Sequence, residues 1–281
     1  MQVRPFSFTG RKIPVIGQGT WQMEQDDRRS CIESLRKGLG AGMNHVDTAE
    51  LYGSGRVEEI IREALGERRK EIYLVSKVLP QNASRKGTVR ACEASLKRLG
   101  TGHLDLYLLH WPGDHPLEET IAAFEELKAA GKILAWGVSN FSVEEMEEAL
   151  SIAGEGKMAC NQVLYHLKER AIEHHVIPWC EKHGVAVVAY SPFGSGDFPE
   201  ENSPGGKVLS EIARARGATP RQVALTFLVR EANVFTIPKT AHAGRAIENA
   251  KAGDIALSGE EIDRIDAAFP KGKPRPGIPY L

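Results

Sequence analysis

The chain has 281 residues, 42% of them hydrophobic, and 36 basic against 37 acidic residues leave a formal charge of −1. That length suits one (β/α)8 barrel, or two small domains, with enough apolar residues for a large core. No block of like charge dominates, which argues against nucleic acid or an anionic membrane as a partner and leaves a local anion site open.

The start, MQVRPFSFTGRKIP, lacks the apolar core of a signal peptide. The first residues suggest a hairpin: Val3 to Phe8, a Thr9-Gly10 turn, then Lys12 to Pro14. From there short apolar strands alternate with amphipathic helices. Val15 to Gly19 leads to helix Arg28 to Leu39, and Asn44 to Asp47 to helix Val57 to Leu65. The strand 72-IYLVSK-77 precedes a helix from Thr88 to Leu99, and 104-LDLYLLH-110 precedes Leu117 to Ala130. The strand 133-ILAWGV-138 leads to Val143 to Ile152, and 159-ACNQ-162 to Val176 to Lys182. Finally 185-VAVVAY-190 leads to Lys207 to Arg216, and 234-VFTI-237 to Ala241 to Ala250.

Extra helices are expected at Pro220 to Arg230 and Gly259 to Ala268. Eight strand–helix units in this length favour one closed parallel (β/α)8 TIM barrel, a single domain over 1–281. The longest loop, 193-FGSGDFPEENSPGGK-207, has a length usually associated with function or mobility. No segment approaches the ~18 uninterrupted apolar residues of a membrane helix. Cys31, Cys92, Cys160 and Cys180 form no CxxC pair and no close cluster, so free thiols in a reducing cytoplasm are expected and no metal site.

Barrel enzymes act at the C-terminal mouth, so the strand ends matter most. In order they read Gly19-Thr20-Trp21, Asp47, Lys77, His110-Trp111, Ser139-Asn140, Asn161-Gln162, Tyr190-Ser191 and Lys239-Thr240. Singly, each has a plain structural explanation: Asp47 a turn cap, Lys77 a surface lysine, His110 a core histidine, Tyr52 loop packing. Together, Asp47, Lys77 and His110 end consecutive strands, and Tyr52 follows in a glycine-broken turn. A buried lysine there needs an acid, and Asp47 is one strand away. A free tyrosine is a poor acid or base at neutral pH, and a nearby ammonium is expected to lower its pKa. His110 adds a donor where negative charge builds on oxygen. The set suits protonation of a carbonyl oxygen as it becomes an alkoxide, with a cofactor supplying hydride.

No GxGxxG occurs; 38-GLGAG-42 and 53-GSG-55 have the wrong spacing, so a Rossmann site is not expected. Barrels bind phosphates with their last loops and a helix N-terminus. Here that region is 237-IPKTAHAGRAIEN-249, in which Lys239 and Thr240 are expected to open a helix and Arg245 to approach the same anion. Such a 2′-phosphate site favours NADPH over NADH, and Tyr190 can stack on a nicotinamide ring. A solvated helix start is the plain alternative.

The segments 13-IPVIGQGTW-21, 46-VDTAELYG-53, 75-VSK-77, 106-LYLLHWP-112, 136-WGVSNF-141, 161-NQ-162, 189-AYSPFG-194 and 236-TIPKTAHAGRAIEN-249 together resemble an aldo-keto reductase. The resemblance spans nearly the whole chain. It implies a monomer-sized barrel closed at the bottom by the hairpin, and NADPH-dependent reduction of aldehydes or ketones. It implies that Asp47, Tyr52, Lys77 and His110 are the catalytic four, with Tyr52 the proton donor. Ser139, Asn140 and Gln162 would hold the nicotinamide carboxamide, and Tyr190 would stack on the ring. Lys239, Thr240 and Arg245 would take the 2′-phosphate, with Glu248 and Asn249 near adenine. Gly19, Thr20, Ser191, Pro192 and Ile237 complete the cofactor set, and Trp21 and Trp111 border the substrate.

The short Pro- and Gly-rich tail, 270-PKGKPRPGIPYL-281, departs from longer members, whose tails shape the pocket. It argues against a steroid-type site. The sequence is most similar to bacterial members acting on small aldehydes and methylglyoxal-like dicarbonyls. Two other functions remain compatible with the residues: a Schiff-base barrel enzyme using Lys77, and an NADPH-binding sensor or regulatory subunit on the same fold.

Overall fold

The computed structural model describes residues 1–281. Strands β1 (Val3–Pro5) and β2 (Lys12–Pro14) form an antiparallel hairpin with Val3 opposite Pro14. Eight parallel strands follow: β3 (Gln18–Gly19), β4 (His45–Asp47), β5 (Tyr73–Val78), β6 (Leu104–Leu109), β7 (Ile133–Ser139), β8 (Met158–Leu164), β9 (Ala186–Tyr190) and β10 (Val234–Thr236). Their order in the sheet is their order in the chain. The sheet curls until its edges meet: Gly17 N–H donates to the Thr236 carbonyl at 2.8 Å and Gly19 N–H to that of Pro238 at 3.1 Å. The result is a TIM-barrel-like α/β fold with an N-terminal hairpin.

Helices α1 (Arg28–Gly40), α2 (Arg56–Leu65), α3 (Arg85–Leu99), α4 (Leu117–Ala129), α5 (Val143–Ala153), α6 (Val176–Lys182), α7 (Pro204–Arg216) and α9 (Ala243–Ala252) connect or follow the strands. The extra helices are α8 (Pro220–Leu228) and α10 (Gly259–Ala268). Of the helices, α6 and α10 fall where their residue patterns place them, and most others differ by a turn or less. Two differences matter. Helix α7 starts earlier than its apolar pattern suggests because Ser203 caps it, accepting from Gly206 N–H, and Pro204 takes the first position. Helix α9 starts later, at Ala243, so Lys239 and Thr240 lie in the loop before it.

Strand alternation sorts two cores. Leu74, Leu104, Tyr107 and Leu109 belong to the larger cluster between sheet and helices. Tyr73, Val75, Leu106 and Leu108 belong to a smaller inner cluster, which Phe6 of the hairpin plugs from below. The Phe6 ring lies 5.5 Å from Tyr73 and 5.2 Å from Phe235. With period two, the inner row 73-75 continues to Lys77 and the row 106-108 to His110. Those two polar residues therefore top the inner core at the mouth.

Candidate active site

A pocket of about 720 Å³ opens at that mouth. It is lined by Asp47, Tyr52, His110, Trp21, Trp111, Ser139, Asn140, Gln162, Tyr190 and Lys239, among others. Lys77 lies beneath it, fully buried. Its ammonium donates to Asp47 Oδ1 at 2.6 Å, to the Thr48 carbonyl at 2.8 Å and to Tyr52 Oη at 3.2 Å. All three of its donors are therefore used. The other Asp47 oxygen accepts from Gln162 Nε2 at 2.7 Å. Burial disfavours the charged lysine, but Asp47 and Tyr52 outweigh it, so its pKa is raised and it stays an ammonium.

The turn after β4 explains how Tyr52 gets there. Gly53, Ser54 and Gly55 all have positive φ, which reverses the chain and folds Tyr52 over the strand end. A Cβ on Gly53 would lie 2.7 Å from Glu24 Cγ, so both backbone and space require glycine there. Tyr52 is 9% exposed, and its ring packs edge-on against His110 at 5.8 Å. Its pKa is raised, not lowered as the sequence suggests. Burial dominates, and the lowering by Lys77 only partly offsets it. Tyr52 is thus a fully protonated phenol at neutral pH, hydrogen-bonded to a cation.

Burial and the Lys77 charge push His110 down to about 2, so its ring is neutral. Its Nδ1 is buried without a partner. An orphaned buried N–H is rarer than an orphaned acceptor, which assigns the proton to Nε2, the nitrogen left facing the pocket. His110 therefore offers a neutral donor beside the Tyr52 hydroxyl.

Beyond these four groups, Ser139 Oγ donates to the Gln162 carbonyl at 2.9 Å. Asn140 Nδ2 donates to the His110 carbonyl, and Tyr190 Oη donates to Asn140 Oδ1 at 2.9 Å. That bond fixes the Tyr190 ring as a platform. Asn140 and Ser191, both in the pocket wall, have φ of 59° and 50°, in the left-handed region uncommon outside glycine. Such strain concentrates where surrounding structure holds a working geometry.

Of the residues singled out for a cofactor, Gly19, Thr20, Ser139, Asn140, Gln162, Tyr190, Ser191, Ile237 and Lys239 line this pocket. Pro192, Thr240, Arg245, Glu248 and Asn249 lie outside its wall. Lys239 is ion-paired with Asp26, and Arg245 is exposed in the first turn of α9. That turn has no acidic residue and no side-chain cap, so its amides and Arg245 present positive charge together. Glu248 accepts from Thr219 Oγ1 at 2.7 Å, and Asn249 is buried. The donor set fits a dinucleotide: amides and a flat aromatic face near Tyr52, cations and free amides toward α9.

The sequence reading missed part of the wall. Leu51, Pro112, Ser142 and Glu145 line it, and so do Gly277, Ile278, Tyr280 and Leu281. The tail is therefore not too short to shape the pocket. A Pro-Gly-rich, nonperiodic segment carries no signal of where it docks.

Residues 15–269 match the Aldo/keto reductase family. The methylglyoxal reductase YeaE of Escherichia coli is 42% identical over 278 residues, covering 97% of this chain and 98% of that one. The glyoxal reductase of Bacillus subtilis is 35% identical, covering 92% of this chain and 90% of its own. A Klebsiella pneumoniae aldo/keto reductase, solved with NADP and acetate, superposes with a TM-score of 0.93 at 40% identity, covering 100% of both chains. A pattern matched from β3 to the end of α10, together with relatives aligned over almost their full length, leaves one conclusion: this chain belongs to the aldo/keto reductase family.

Proposed function

We propose that the protein is an NADPH-dependent oxidoreductase on a closed (β/α)8 barrel. It reduces small aldehydes and dicarbonyls of the methylglyoxal and glyoxal type, with Tyr52 as proton donor. The observation that carries this reading is the saturated Lys77 ammonium, bonded at once to Asp47 and to the Tyr52 hydroxyl. NADPH, when bound, supplies hydride to the carbonyl carbon. The chain's own groups do the rest. Tyr52 and His110 Nε2 donate to the carbonyl oxygen, and Tyr52 gives up its proton as negative charge builds there. Lys77 stabilises the phenolate this leaves, and Asp47 keeps Lys77 charged and in place.

Ser139, Asn140 and Gln162 would hold the nicotinamide carboxamide against Tyr190. Lys239, Thr240, Arg245 and the α9 amides would take the 2′-phosphate, with Glu248 and Asn249 nearest the adenine. Trp21 and Trp111 give the substrate side aromatic walls, and the docked tail narrows it. A Schiff-base role for Lys77 is disfavoured, because a buried ammonium with its pKa raised and three partners is no nucleophile. The test follows NADPH absorbance with methylglyoxal, glyoxal and a bulky steroid ketone. Turnover should be fastest with the small dicarbonyls. Preference for the steroid would overturn the substrate class, and no turnover with any carbonyl would favour the sensor reading.

A further inference from the structure

We infer that Glu145 sets the charge selectivity of the substrate pocket, admitting neutral carbonyl compounds and disfavouring those that carry a second group as an anion. The inference rests on the reading of this pocket as a carbonyl-reduction site, and deepens it by naming the substrate's charge.

Four side chains of the pocket wall can carry a charge near neutral pH: Asp47, His110, Glu145 and Lys239. Asp47 is cancelled by Lys77, at 2.6 Å. His110 is neutral, its pKa pushed down by burial. Lys239 is paired with Asp26. Glu145 forms no such ion pair. It is therefore the one uncompensated side-chain charge in the wall, and it is negative; the carboxylate of Leu281, which lines the same wall, has the same sign.

Its position closes an alternative as well. Helix α5 begins at the pocket, and a helix N-terminus ordinarily attracts anions through its free amides. Here a capping box uses two of them: Ser142 N–H donates to Glu145 Oε2 at 2.7 Å and Glu145 N–H to Ser142 Oγ at 3.3 Å. The site where a substrate carboxylate would dock already holds one from the protein. A family member that reduced carboxylate-bearing aldehydes would need a free cation at this wall, and this chain has none there.

The test compares succinic semialdehyde with its methyl ester, in wild type and Glu145→Gln. Glutamine keeps the capping box and removes only the charge. One charge at this range contributes on the order of 1 kcal/mol in a partly solvated pocket, which corresponds to roughly fivefold. Wild type should favour the ester in kcat/KM. Glu145→Gln should raise the acid-to-ester ratio about three- to tenfold, with an unchanged melting temperature. An unchanged ratio, or a wild type that prefers the acid, overturns the inference. If neither the ester nor methylglyoxal is reduced, the proposed function fails instead. The charge inference is then decided without turnover, by titrating acetate and acetamide and following Trp21 and Trp111 fluorescence. Tighter acetate binding in Glu145→Gln supports it, and equal binding to both proteins sinks it.

Discussion

The two ends of the pocket are built on opposite plans. At the Tyr52 end, Asp47, Lys77, Tyr52 and His110 are all less than 10% exposed, and the lysine has no unused donor. At the Lys239 end, Arg245 is exposed and Lys239 is about a third exposed and shared with Asp26. Burial at the first end fixes distances before any ligand arrives, and makes each charge costly to leave alone. Exposure at the second leaves charges screened by water and salt, so they adjust affinity more than chemistry. Substitutions should therefore have large effects on turnover at one end and moderate effects on binding at the other.

The largest effect is expected from Lys77→Met. It removes the charge beside Tyr52 and leaves Asp47 buried without its cation, so turnover should be abolished and stability should drop by roughly 3–5 kcal/mol. Asp47→Asn should do less damage to turnover, because the ammonium remains. Wild-type rates in both variants would show that the buried end is not a working unit. Next comes Tyr52→Phe, which keeps the ring and removes only the acid. A kcat loss of at least ~10²-fold is expected, with NADPH affinity nearly unchanged. Steady-state kinetics beside a cofactor titration check it, and normal turnover would reassign the proton donor.

At the exposed end, Arg245→Ala should weaken NADPH by about 10- to 150-fold and leave NADH nearly untouched, since only one cofactor carries the 2′-phosphate. Equal losses for both cofactors would mean that Arg245 has no phosphate to hold. Acid sensitivity should arise where burial holds histidine rings neutral, at His110 in the pocket and at His45 beside Phe6 lower in the barrel. Burial holds His45 at about 4 and His110 at about 2, both below the usual 6.5. The unfolded chain binds those protons first, so the stability they confer is complete above pH 6.5 and erodes as pH falls toward these values. At pH 5.5 each should cost about 1.4 kcal/mol, which urea titrations at pH 7.5 and 5.5 can measure. Equal stability at the two pH values would show that the rings are not held neutral. The smallest effect is expected from Asp26→Asn. Freeing Lys239 from its partner should tighten NADPH about two- to fivefold and NADH hardly at all. Weaker binding of both cofactors would instead make Asp26 part of the binding crevice.

Much of this arrangement was legible in the residues, and the exceptions have physical causes. Lys77 and His110 could be placed at the mouth because strand alternation carries inner rows straight to them. Helices α5 and α10 could be bounded because Ser142 and Ser258 cap them in capping boxes. The direction of the Tyr52 pKa was misjudged, because the sequence shows a cation nearby but not that the phenol is buried deeply enough to outweigh it. Lys239 and Thr240 are expected to open a helix from Ala241, but it begins only at Ala243, where His242 supplies no side-chain cap to mark the start.

The sequence by itself determined the alternation of strand and helix, the strand ends that meet at one mouth, and the chemical types gathered there. Those follow from local periodicity and turn residues, which act over a few positions. Tertiary structure alone decided which partners the charges take. Asp26 reaches Lys239 across 213 residues, Gln162 reaches Asp47 across 115, and the 277–281 tail docks in the pocket wall. No local pattern encodes such contacts, because they exist only once the curled sheet has brought its first and last strands together.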